Sequence, residues 1–337
     1  MTGEGITLVT GGAGFIGRHV LQALRDRGAP VRVIDTREVP QNFPAGVDYH
    51  QGSILQEAAL RAVFTGVTQV VHIAGVADLW LPTPQRFDAI NHVGTCKVLQ
   101  AAKQVGVRKF VHTSSETILR DRRDRSIELI TPNGDLPPLE GMPGPYTRSK
   151  WQAEQRVREA AQAGFPAIIV YPTMPLGPGD DALTPPTRML RDFLVKPPPA
   201  ILDCALNAVD VRDVAEAMVH ALELGETGER FILGGENLRL RVLLAYLHLA
   251  GGKPPPKRMI PYAIGWLSAL VMEKLLAPLT KKPPAASLEG IRLARLNLWS
   301  DNAPACEKLD WSPRPVDVSV SDAAQWLREA GHLDNCK

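Results

Sequence analysis

The run Gly11-Gly12-Ala13-Gly14-Phe15-Ile16-Gly17 limits the fold of this chain more than any other stretch. It joins Ile6-Thr7-Leu8-Val9-Thr10, which reads as a short buried strand, to a helix expected over 16–27. Gly11 permits a tight exit from the strand, Gly14 lets backbone approach a bound pyrophosphate, and Gly17 lets the helix lie close to the sheet. The helix N-terminus then faces the phosphates. A second strand, Val31-Arg32-Val33-Ile34-Asp35, ends in a carboxylate 18 positions after Gly17. A carboxylate there accepts hydrogen bonds from an adenosine ribose. Gly11, Gly14, Phe15, Ile16, Gly17 and Asp35 are therefore cofactor candidates. Asp35 repels the extra phosphate of NADP and so favours NAD. Arg37 and Arg18, close by in sequence, keep NADP open as a second cofactor.

Strand and helix patterns alternate to about residue 172, which argues for a parallel sheet. Beyond it come proline-rich loops, short helices and scattered strands. The expected fold is α/β: a Rossmann doubly wound parallel sheet with a smaller mixed C-terminal substrate-binding lobe. Residues 1–172 form the dinucleotide-binding domain, with elements returning from 200–235. Residues 173–337 are mainly the lobe, and the active cleft lies between the two. A net charge of +2 on 337 residues gives no electrostatic case for nucleic acid. Cys96, Cys204, Cys306 and Cys336 are widely separated, and His72, His92 and His112 fall on separate elements, so no metal site is expected. The first strand starts almost at Met1, so no secretion leader is expected, and the reading is cytoplasmic.

Tyr146 and Lys150, in Tyr146-Thr147-Arg148-Ser149-Lys150, stand four residues apart. On a helix that spacing puts both side chains on one face, a turn apart. An ammonium beside a phenol favours phenolate, so the lysine is expected to draw Tyr146 down towards the range useful for acid–base work. Ser115 ends the apolar strand that starts at Lys109. In a doubly wound sheet that is where ligands bind, and its hydroxyl can donate to a substrate carbonyl.

With these motifs in order, the chain resembles the extended short-chain dehydrogenase/reductases of the NAD-dependent epimerase/dehydratase superfamily. His72-Ile73-Ala74-Gly75, Asn91-His92-Val93-Gly94-Thr95, Thr113-Ser114-Ser115 and Pro172-Thr173-Met174-Pro175-Leu176-Gly177-Pro178 complete the resemblance over nearly the whole length. It implies that Ser115 is the catalytic hydroxyl, that Tyr146 moves the proton, and that Lys150 also holds the nicotinamide ribose. It further implies that Ala74, Gly75, Pro172, Thr173 and Met174 line the cofactor, and that Ser53 and Ile54 lie near the adenine. Homodimerisation is a further implication.

Departures from the family pattern narrow the reaction. Ile118-Leu119-Arg120 replaces the Val-Tyr-Gly element of sugar-nucleotide members, and Glu116-Thr117 replaces the Asp-Glu pair of the sugar 4,6-dehydratases. Tyr171 stands where an arginine is usual, and Gly52-Ser53-Ile54 lacks the usual acidic residue. What remains resembles dihydroflavonol-reductase-like proteins, 3β-hydroxysteroid dehydrogenases and hopanoid-associated epimerase-like proteins. The last likeness is strongest in two stretches, Gly177-Pro178-Gly179-Asp180 through Arg188-Met189-Leu190-Arg191-Asp192-Phe193, and Arg230-Phe231-Ile232-Leu233-Gly234-Gly235-Glu236-Asn237. Trp80 could wall a ring-bearing or acyl substrate or simply pack beneath its loop. With Glu116, Thr117 and Arg188 it completes the substrate candidates.

The expected activity is NAD(P)-dependent interconversion of a secondary alcohol and a ketone on a fairly large, partly apolar small molecule. A sugar-nucleotide epimerase and a non-catalytic NAD-sensing protein are the rivals. Two segments stay open. Arg120-Asp121-Arg122-Arg123-Asp124-Arg125 is either a solvated loop or an anchor for an anionic substrate tail. The uncharged run of 14 from Met259 to Met272, within an apolar stretch over 259–279, is too short to span a bilayer. It reads as a buried helix lining the pocket, a helix resting on a membrane surface (with Lys281 and Lys282 behind it), or a dimer contact.

Overall fold

Short runs of valine and isoleucine become the strands of the central sheet in the computed structural model, which describes residues 5–40, 43–280 and 283–333. Lys281, Lys282 and Cys336 lie outside the described residues. The first six strands are β1 (Ile6–Thr10), β2 (Val31–Asp35), β3 (Asp48–Gln51), β4 (Val67–His72), β5 (Lys109–Thr113) and β6 (Ala167–Pro172). After them come β7 (Met174–Leu176), β8 (Ala200–Ile201), β9 (Ala205–Asp210), β10 (Arg230–Leu233), β11 (Glu236–Arg239) and β12 (Arg258–Met259). Seven of these pair in parallel in the order β3-β2-β1-β4-β5-β6-β10. The chain winds outwards both ways from β1 and β4, which leaves a crevice beyond their C-terminal ends.

The inner strands are largely apolar because helices cover both faces, whereas the edge strand β3 is polar and partly exposed. On one face Leu8, Val70 and Phe110 pack with Leu60, Val98, Leu99 and Val157 from the crossover helices. On the other, Val9, Val33, Val71 and Val111 pack with Val20 and Leu21 of the Phe15–Asp26 helix and Val214 and Met218 of the Val211–Leu224 helix. Each such fully buried aliphatic side chain contributes about 1.5–3 kcal/mol. A third core around Leu176, Leu190, Leu206, Leu243, Val320 and Leu327 belongs to the C-terminal part. There β7 and β11 flank β9, parallel and antiparallel respectively. β8 and β12 form a separate parallel pair.

The helical segment after β4 begins at Gln85, ahead of the 91–95 motif, and widens into an i→i+5 turn over Asp88–Val93 before Gly94–Val105. Such wide turns commonly serve a site. Here the turn presents the amide of Asn91 to two other elements, described below.

The apolar stretch is a helix over Tyr262–Thr280, and its large side chains face outwards. Only Gly265, Ala269 and Ala277 of it are buried. The reading as a buried helix lining the pocket is corrected. A run apolar on all sides has no polar stripe to say which face turns inwards.

Candidate active site

The glycine turn has the form its sequence requires. Gly11 takes φ +75°, and a Cβ on it would stand 2.8 Å from the backbone of Ala74. A Cβ on Gly17 would collide with the carbonyl oxygen of Gly11. Gly14 is the extended N-cap of the Phe15–Asp26 helix and supplies no capping side chain, so the first N–H groups stay available to an anion. Gly17→Ala is accordingly expected to weaken NAD binding by about tenfold or more, read by fluorescence titration with NADH.

Asp35 is held beside this turn. One carboxylate oxygen accepts the Ala13 N–H at 3.0 Å and the other the Arg37 N–H at 3.0 Å. The Arg37 guanidinium donates to the Ala13 carbonyl, while Arg18 is engaged by Asp181. Ser53 accepts the Leu55 N–H and shapes the turn after β3. The side chain of Ile54 is 6% exposed and packs against Gly94. Beneath the crevice, the Thr10 hydroxyl accepts the N–H groups of Ile73 and Ala74. His72 bridges Thr10 and Thr95, and burial pulls it down to about 3, so it is a neutral strut. Asn91 accepts the Val76 N–H and donates to Ser149, tying the Ala74-Gly75 loop to the tyrosine-bearing helix.

That helix, Pro145–Gln162, carries Tyr146 and Lys150 in its first two turns, with both side chains buried. Lys150 Nζ donates to the Thr113 carbonyl at 2.7 Å, at the end of β5. Ser115 follows in the same strand exit, 2.9 Å from the Thr117 hydroxyl and 3.2 Å from a Glu116 oxygen to which it donates. The expected drawing-down of the phenol by the lysine is not what the surroundings produce. Burial pushes Tyr146 well above its usual value, with Ser115 pulling weakly the other way and Glu116 and Glu289 pushing further up. Burial brings Lys150 down to about 8, opposed by the charge of Glu154. The tyrosine therefore holds its proton at neutral pH.

Two groups that hold this arrangement carry no signal in sequence as site residues, and they act beside Asn91 from the 91–95 motif. Gly144 caps the helix without a side chain, and the carboxylate of Glu289, from the Leu288–Ala294 helix, does that work. It accepts the Tyr146 N–H at 3.1 Å, the Thr147 N–H at 2.8 Å and the Thr147 hydroxyl at 2.8 Å. A Cβ at position 144 would overlap that carboxylate. Glu154, one turn after Lys150, accepts from Tyr171 at 2.6 Å, from Arg158 at 2.8 Å and from Ser114. Tyr171, standing where an arginine is usual, is thus a buried pillar between helix and sheet.

Of the substrate candidates, Thr117 and Glu116 touch Ser115, and Trp80 lies half-buried in the loop after β4. Arg188 is committed to Asp78 of the same loop at 2.9 Å and to the Leu183 carbonyl. Thr173 donates to Asn207 at 2.9 Å where β6 gives way to β7. Arg120 is 5% exposed and spends its guanidinium on the Ser126 and Glu128 carbonyls, so it is a loop brace and no anchor for substrate.

Burial raises Glu116 and Glu289 to about 7. A carboxyl whose folded value exceeds its unfolded value near 4.5 contributes stability that is complete below that value and lost as pH rises through about 7. Glu116→Gln is expected to reduce the loss of stability between pH 5 and 8 by roughly 3 kcal/mol, measured by urea unfolding at both pH values.

Residues 7–234 match the family model described as the NAD dependent epimerase/dehydratase family. A Synechocystis sp. protein provisionally named a dihydroflavonol 4-reductase is 31% identical over 338 residues, covering 96% of this chain and 95% of that protein. The 4-hydroxy-2-methyl-3-oxo-4-farnesyl-3,4-dihydroquinoline-1-oxide ketoreductase of Stigmatella aurantiaca is 30% identical over 334 residues, with 96% of each covered. The crystal structure of gox2253 superposes with a TM-score of 0.83 at 31% identity, over 97% of this chain and 99% of that one.

Proposed function

Since this chain belongs to the NAD dependent epimerase/dehydratase family, we propose that it reduces a ketone to a secondary alcohol on a fairly large, partly apolar substrate. The observation that carries the reading is the buried phenol of Tyr146 beside the Ser115 hydroxyl, one helical turn before the Lys150 that the Thr113 carbonyl holds. A group that keeps its proton until an oxygen of rising basicity arrives is suited to act as a general acid. The glycine cradle and Asp35 fit a dinucleotide, which when bound supplies hydride to the carbonyl carbon. Ser115 donates a hydrogen bond to the carbonyl oxygen, where negative charge grows. Tyr146 passes its proton to the same oxygen. Lys150, fixed by the Thr113 carbonyl, offers its remaining protons to the ribose and its charge to the phenolate left behind. Trp80 and the neighbouring Leu79 give the substrate side an apolar wall. The names of two relatives, a dihydroflavonol reductase and a ketoreductase of a farnesyl-bearing ring, favour a ring-bearing apolar ketone.

A screen of steroid, flavonoid, β-keto acyl and UDP-sugar substrates, followed by absorbance of reduced nicotinamide, tests the reading. Ketone-dependent consumption, faster with NADH than with NADPH, is the expected result. Interconversion of UDP-sugars with no net consumption would instead make the protein an epimerase.

A further inference from the structure

The outward-facing helix Tyr262–Thr280 adjoins a cluster of arginines that the reaction does not use. Seven of its large apolar side chains are exposed, among them Leu267 at 57%, Leu275 at 60% and Leu279 at 81%. So many on one helix exceed the scattered apolar residues of an ordinary surface. The single carboxylate of the helix, Glu273, is turned inwards and accepts the Leu288 N–H at 2.8 Å. The exposed side therefore carries no unpaired negative charge, and Lys274, exposed beside it, pairs with Glu273 at 3.4 Å.

At the N-terminal end of this helix, Tyr262 and Trp266 line a cavity of about 560 Å³. Its other walls are Arg122, Arg123 and Arg125 from the loop after Ser115, and Arg292 and Arg295 from the helix that carries Glu289. Among the described residues, five guanidinium groups and no carboxylate face the cavity. Asp121 pairs with Arg123 at 2.6 Å, and Arg295 stacks over the Tyr262 ring at 4.6 Å. Four of the five arginines are exposed, Arg292 being the half-buried one.

From this juxtaposition we infer that the face formed by Tyr262–Thr280 and the arginine cavity docks on an anionic phospholipid surface, with a lipid phosphate held among the guanidinium groups. Guanidinium forks match phosphate geometry, and a tyrosine and a tryptophan suit the boundary between headgroup and acyl chain. The apolar side chains enter the acyl region, and the helix lies along the surface. A second copy of the chain is the poorer occupant, because two copies facing each other would oppose arginine clusters in which only Arg123 has an acid, Asp121, to pair it. The inference deepens the proposed function and rests on it for the substrate's route. Arg292 donates to the Pro143 carbonyl just ahead of Tyr146, so the docked face adjoins the crevice, where an apolar ketone dissolved in the bilayer would enter.

The test is flotation of the full-length protein with vesicles of phosphatidylcholine mixed with phosphatidylglycerol, and with vesicles of phosphatidylcholine alone. No substrate is present, so a failure to bind leaves the reductase reading standing, and a failure to turn over ketones leaves this one standing. The expected result is binding to the anionic vesicles only, weakened by high salt. Arg122→Glu with Arg125→Glu should weaken it by about 30-fold or more, since each basic group at such a surface contributes appreciably. Leu267→Glu with Leu275→Glu should abolish it, and both variants should keep wild-type NADH affinity, which reports an intact fold. Equal binding to neutral vesicles, or charge-reversed variants that float like wild type, would overturn the inference. So would a dimer in sedimentation that Leu267→Glu breaks while vesicles are ignored.

Discussion

Tyr146→Phe should lower ketone turnover by about 10³-fold while leaving NADH affinity within about twofold of wild type. The substitution removes one oxygen from a buried ring. Phe87 still meets the ring edge-on at 6.2 Å between centroids, and Ser115 keeps its contacts to Thr117 and Glu116. What disappears is the phenol's proton, the one group placed to pass to the substrate oxygen. No neighbour can replace it well. Lys150 is bound to the Thr113 carbonyl, and Glu116 is already hydrogen-bonded to Ser115. Steady-state kinetics with the best ketone of the screen, beside a fluorescence titration, separates the two effects. A variant retaining a tenth or more of wild-type turnover, with intact cofactor binding, would remove Tyr146 from the proton path.

Much of this site is local in the chain and so is legible in the sequence. A strand, a glycine turn and a helix are neighbours there, and the pleat and helical pitch dictate which residues share a face. The same holds for Asp35 at the end of β2 and for Tyr146 above Lys150. Where sequence misleads, the outcome depends on surroundings that spacing does not encode. The i,i+4 rule puts lysine and tyrosine on one face but is silent on burial, which raises the phenol, and on the Thr113 carbonyl, which takes the ammonium. Tyr171 reads as a lost arginine and is a strut to Glu154, whose partners come from three separate elements. The Tyr262–Thr280 helix cannot be assigned inwards or outwards from its pattern because its apolar residues run all round it.

Glu289 is the residue least visible in sequence, standing 142 positions from the Thr147 it caps, and its removal has the second large expected effect. A helix that starts at a glycine has no side chain to satisfy its first N–H groups, and here they are buried. Glu289→Ala would strand the N–H groups of Tyr146 and Thr147, while the Thr147 hydroxyl keeps the Gly144 carbonyl at 3.1 Å. At about 1–3 kcal/mol for each buried group left unpaired, a destabilisation of roughly 3 kcal/mol is expected, read as a fall in the urea midpoint. Turnover should fall by about 10²-fold, because Tyr146 belongs to the first turn and a small displacement of its hydroxyl costs alignment with the carbonyl. Glu289→Gln keeps one acceptor oxygen and should recover part of both losses. A purely structural role would predict lost stability with unchanged kcat in the folded fraction. Glu289 acting as a positioning residue predicts that kcat falls while NADH affinity, set by the distant glycine turn, does not. Because Glu289 lies on the same short helix as Arg292, the C-terminal part and the tyrosine-bearing helix are joined through one carboxylate. A change at the arginine cavity therefore has a short path to the phenol.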